Sequence, residues 1–161
     1  MELRQRDNSN EKTKTAEEFA RELKANSEYQ ARLWEREKQI AANQAIYAPE
    51  DAALTAELRE HGVAVSSVYD LVNTSAPYPE LYSVLVRHLD IPHHRVIREG
   101  IIRALTIKDA GVAVESALLK HFQSERDSYL QWVLANALKT VMPYHKRKKY
   151  PDIARTFKRQ V

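Results

Sequence analysis

A chain of 161 residues, 43% hydrophobic and 29% charged, can fill one core and carry the mixed-charge surface of solvated helices. It has no cysteine, which excludes disulfides, thiolate metal sites and thiol nucleophiles, and its three glycines argue against sheets joined by tight primed turns. The net charge of +3 is unevenly placed: from Lys139 onward eight cations face one acid, a tail of +7 that leaves −4 elsewhere, so a polyanion meets the C-terminal end first.

Residues 1–14 are polar, charged and aperiodic, which predicts a disordered tail. The start has no apolar segment and no run approaches a membrane-spanning length, so neither a secretory signal nor a membrane span is expected, and the default location is the cytoplasm. Helical signals begin at Thr15, whose hydroxyl stands three residues ahead of Glu18 in a capping-box pattern. Phe19 and Leu23 follow at helical spacing. A second start at Ser27 leads into a segment whose Tyr29, Leu33 and Ile40 share one face. Residues 15–48 are thus expected to form an amphipathic helical arm that packs on the rest of the chain or docks on a partner. Trp34 on this arm is either a clamp or an interface anchor. Pro49 is expected to break the arm, because proline disfavours helix for the residue before it.

A second domain is expected over 49–161. A short helix runs through "DAALTAELREHG" to a left-handed cap at Gly62, and "SSVYDLVN" forms another, opened by Ser66 or Ser67. After the loop "TSAPYP", Pro79 is suited to the first position of the next helix. A shift of 33 residues lays "SVLVRHL" (83–89) on "SALLKHF" (116–122) and, without a gap, "IIRAL" (101–105) on "LANAL" (134–138). Leu54 and Leu58 ahead of Val68 and Val72 make a weaker copy, and "YPDIARTF" (150–157) echoes "YPELYSVL" (78–85). Such self-similarity predicts stacked helix pairs, with units about 50–75, 78–107 and 110–142 and a partial unit at 150–161.

The pattern resembles HEAT-like repeats, in which an inner helix reads roughly "VRxxAxxAL". "VIREGIIRAL" (Val96–Leu105) matches best, with Arg98 at the family's arginine position. Gln131 departs from it in the next unit, and Gly100 stands where the family favours alanine. The stretch from Val65 to Leu105 is similar to a group of small bacterial HEAT-like proteins. The resemblance implies an all-α fold: a short right-handed α-solenoid of helical hairpins, preceded by the N-terminal arm.

The chemistry-bearing candidates are few. "RHLDIPHHR" holds His88, His93 and His94, but no two share the i, i+4 spacing of a helix-borne metal pair, so they are read as marking a corner between helices. Glu99 and Glu115 fall on different helices. No nucleophile elbow, glycine-rich phosphate loop or H-E-x-x-H occurs, and no catalytic residue, cofactor or metal site is expected. "HKRKKY" (145–150) is either a solvated loop or a phosphate-contacting patch of Lys146, Arg147, Lys148 and Lys149. Arg155, Lys158 and Arg159 would extend the patch, and Tyr144 and Tyr150 are available for stacking. Ile153, Phe157 and Val161 form one stripe on an outer helix whose inner partner does not follow, to be covered by the arm, a second copy or another molecule. The expected function is a non-catalytic protein-binding module, an adaptor or immunity-type protein. Its contacts are expected at the inner-helix start (His93, His94, Arg95, Arg98) and at Trp34. The alternative is a nucleic-acid-binding protein using 144–159.

Overall fold

A computed structural model describes residues 14–158. The tail expected before Thr15 therefore lies almost wholly outside the described residues, as do Arg159 and Val161. The fold is all-α: among the described residues there are nine α-helices and no strand. They are α1 (Ala16–Ala25), α2 (Ser27–Glu60), α3 (Val68–Asn73), α4 (Tyr82–Leu89), α5 (Arg95–Ala104), α6 (Val112–Ser124), α7 (Ser128–Val141), α8 (Tyr144–Arg147) and α9 (Pro151–Lys158). None is long and apolar enough to cross a membrane. The chain divides into two compact units between Gln44 and Ala45.

In the first unit, Thr15 and Glu18 close the expected capping box on α1. Asn26 ends α1 by donating its backbone N–H to the Glu22 carbonyl, and opens α2 by accepting the Tyr29 N–H on its side chain at 3.0 Å. The start of α2 thus owes its cap to Asn26 and not to Ser27. No residue of α1 is buried.

Pro49 does not end the helix, contrary to expectation: α2 runs through it to Glu60. Proline lacks an N–H, so the carbonyl of Ala45, at the first residue of the second unit, loses its intrahelical donor. The helix persists because the turns beyond Pro49 are fixed by burial of Leu54, Thr55 and Leu58. Gly62, at φ +88°, then reverses the chain as a left-handed cap, a conformation glycine adopts without a Cβ penalty.

In the second unit, α5 packs on both α3 and α7, and α7 packs on α9. α4 packs on α5 and α6, and α6 on α7. The 33-residue shift carries α4 into α6 and α5 onto the start of α7, and the equivalent positions share their burial. Leu85 and Leu118, Ile101 and Leu134, Ala104 and Ala137, and Leu105 and Leu138 are each fully buried. The helix starts are capped by side chains at matching places, His94 for α5 and Asp127 for α7. Ser67, one of the two expected openers, caps α3 in a box with Asp70.

Two contacts fix α3 against α5. A Cβ on Gly100 would stand 2.5 Å from Val68 Cγ1, so the backbones approach more closely than even alanine permits. The buried Tyr78 hydroxyl lies 3.0 Å from the Leu71 carbonyl and 2.8 Å from that of Ala104, one proton serving two acceptors in turn. Burial, with Tyr82 adding to it, pushes its pKa up to about 12, so it acts only as a neutral donor.

Candidate functional site

Polar side chains collect at the ends of α2, α4 and α6, and they do so twice in the same pattern. Glu57 on α2 takes Arg87 on one carboxylate oxygen and His88 Nε2, at 2.8 Å, on the other. Asp90, just past α4, takes Lys120 at 2.6 Å and His121 Nε2 at 3.1 Å on one oxygen. Each member of the second set lies 33 residues after its counterpart in the first. In both, a carboxylate reaches forward to an adjacent cation and imidazole on a later helix. The two imidazoles are 8% exposed, and burial, the largest cause in each, lowers their pKa, with Arg87 adding to it at His88 and Arg98 at His121. Asp90 is held below the ordinary carboxylate range chiefly by its hydrogen bond from Lys120.

The first corner extends further. His88 Nδ1 lies 3.0 Å from His93 Nε2, and His93 Nδ1 lies 3.3 Å from Glu50 Oε2. The rings stack at 5.2 Å. Three contacts link Glu57, His88, His93 and Glu50, and each requires a hydrogen. Two neutral imidazoles supply two, so the chain is complete only when the pair shares one extra proton. Burial opposes that proton, lowering the pKa of His93 against the raising effect of Glu50. The longest of the three contacts is His93 to Glu50, whose oxygen also accepts the His94 backbone N–H at 2.7 Å. The nitrogens face one another and the carboxylates, not a common point. No group of three or more His, Cys, Asp or Glu among the described residues is arranged to hold a metal ion.

The four residues expected at the inner-helix start point in different directions. His93 belongs to the buried chain, while His94 stacks on Tyr47 at 5.3 Å and caps α5. Arg95, half exposed, lies over the Tyr129 ring and 3.4 Å from Asp127. Arg98 turns inward, with contacts to the Leu89 carbonyl, His121 and Glu125. Its Nε–H is buried without a partner. Arg95 and Arg98 thus tie α5 to the residues that open α7, and only Arg95 of the four offers substantial surface. Burial, with Glu99 adding to it, raises the Tyr69 hydroxyl to about 12; Glu99 is itself bound by Arg103 and the Tyr129 hydroxyl. Trp34 is 60% exposed, with Lys38 of its own helix over the ring.

The basic run is divided by the fold. Pro143 opens the four-residue α8, so the segment is not an open loop. Lys146 is paired with Glu115 at 3.1 Å, and Arg147 donates to the Lys139 carbonyl at 2.6 Å, capping the end of α7. Arg155 pairs with Asp152 within α9. Lys148 and Lys149 are exposed, as is Lys158. Ile153 is buried against the core and Phe157 half-buried, with Lys139 over its ring. Between α7, α8 and α9 lies an open groove of about 410 Å³. Its floor is Ile153, Ala154 and Phe157, and its rim includes Lys139, Tyr144 and Lys148. Sequence reasoning had the basic run and the apolar stripe separately; it missed that the two bound one concavity. No family model matches the chain, and comparison with curated proteins and with solved structures gives no match either.

Proposed function

We propose that the chain is a non-catalytic protein-interaction module of the cytoplasm, an adaptor or immunity-type binding protein, built as a short right-handed solenoid of HEAT-like hairpins. The order of contacts supports the architecture: α3, α5 and α7 follow one another in one layer, with α4 and α6 in a second, whereas α9 packs chiefly on α7 and so departs from the outer position expected of a partial unit at 150–161. The recurrence of the carboxylate–cation–imidazole set at the 33-residue period supports it independently. The polar clusters at the corners use one another as partners, which makes them joints between units.

The observation that carries the function is the groove between α7, α8 and α9, a preformed concavity with an apolar floor on packed helices. Preorganisation of this kind limits the entropy lost when a partner docks. Ala154 lines the groove and is exposed, so Ala154→Trp fills the groove without disturbing the core. Affinity capture with the intact chain, followed by lysine cross-linking, is expected to recover a protein joined to Lys139 or Lys148, and Ala154→Trp to lose it. Capture that is indifferent to Ala154→Trp, or cross-links confined to other lysines, would refute the assignment.

The second reading, nucleic-acid binding, draws on exposed Lys148 and Lys149 and on Tyr144. It predicts an affinity for single strands that falls roughly tenfold or more between 50 and 200 mM salt.

A further inference from the structure

We propose that the groove between α7, α8 and α9 docks an acidic peptide segment bearing one bulky apolar side chain. This deepens, and rests on, the interaction-module reading above. Three residues lining the groove are cationic and none is acidic. Seven cations stand against one acid between residues 139 and 158, and that acid, Asp152, is held by Arg155. The ion pairs of this region use Lys146 and Arg155, while the ammonium groups of Lys139 and Lys148 lie over aromatic rings instead, at 4.6 Å from Phe157 and 4.8 Å from Tyr144. Two exposed ammonium groups thus stand at the lips of an apolar trough, and carboxylates flanking an anchor side chain complement them.

The same geometry favours a peptide over stacked bases. Stacking requires an open aromatic face. One face of Phe157 is covered by Lys139, and Tyr144, though 65% exposed, has Arg147 and Lys148 over its ring, so successive bases would find at most one stacking platform. The exposed aliphatic surface in the groove comes from Ala154 and Pro151, with Ile153 buried beneath it, which suits a leucine, phenylalanine or tryptophan side chain. The volume, about 410 Å³, is at the small end of ligand pockets and holds one such anchor, not an extended interface.

The full chain is panned against a displayed random-peptide library, and a recovered peptide is synthesised for fluorescence anisotropy. The inference expects aspartate and glutamate around a single large apolar residue, and a Kd raised about tenfold or more by either Ala154→Trp or Lys148→Glu. Both positions are exposed, and unchanged melting confirms that each variant folds. Peptides without acidic bias that still fail on Ala154→Trp would overturn this inference while sparing the protein-docking role of the groove. No recovered peptides, or peptides indifferent to Ala154→Trp, would overturn both. Oligothymidylate binding abolished by Ala154→Trp assigns the groove to nucleic acid, and a dimer abolished by it assigns the groove to a second copy; either result refutes the proposal.

Discussion

Lowering the pH from 7.5 to 5.5 is expected to weaken the second unit through its buried imidazoles. His88, His93 and His121 all have pKa values lowered in the fold, first by burial. Such a group binds fewer protons folded than unfolded, so its contribution is full above the unfolded value of about 6.5 and is lost as the pH falls below it. The limit for one ring, reached if it takes up no proton in the fold, is a loss of about 1.4 kcal/mol over this interval. The geometry sets the number of rings. The His88 and His93 rings share one contact and titrate as a coupled pair, so the pair is counted once. His121, facing Asp90 and Arg98, counts once more. The expected loss is up to about 3 kcal/mol, a large part of a typical domain's stability of about 5–15 kcal/mol. Asp90, whose carboxyl is held low by Lys120, does not titrate in this window. Urea denaturation of the full chain carrying Trp34→Phe, followed by the fluorescence of Trp132, reports the second unit alone. Stability that is flat or rises between pH 7.5 and 5.5 would refute the reasoning, as would the same slope in His88→Gln/His121→Gln.

Two further outcomes follow from the packing. Gly100→Ala places a methyl against buried Val68 and is expected to destabilise the second unit by about 1–3 kcal/mol, where alanine for glycine in an unhindered helix stabilises it; the sign of the change in urea midpoint decides. Leu85→Ala and Leu118→Ala, at equivalent fully buried positions, should each destabilise by about 2–5 kcal/mol with unchanged m-value, and a loss confined to one would break their equivalence.

Much of the local structure was legible in the residue order because its causes are local. The capping box at Thr15, the opening of α3 at Ser67 and the left-handed Gly62 each involve neighbours within four residues. The 33-residue recurrence of Leu85 and Leu118 could be read because α4 and α6, which pack on each other, both bury the face that carries them. Pro49 misled for the converse reason: a local rule predicts a break, and burial of Leu54 and Leu58 a turn further on holds the helix. The histidines were read as a corner, but a search for i, i+4 pairs looks along one helix, and His88 meets His93 across a turn. A signal for the joints was present and unused: Glu57, Arg87 and His88 recur as Asp90, Lys120 and His121 when the shift is applied to charged residues as well as apolar ones.

By itself, the sequence determined an all-helical chain, where several of its helices start, and which positions repeat, since periodicity and capping act over a turn or two of backbone. Only the tertiary structure decided which charges are free. Lys146 is neutralised by Glu115, which lies 31 residues away, and Arg98 is drawn inward to Glu125. Lys139 and Lys148 are left over aromatic rings at the edge of a groove whose apolar floor belongs to α9. Electrostatic partners are set by distance in space, and that distance exists only after the helices have packed.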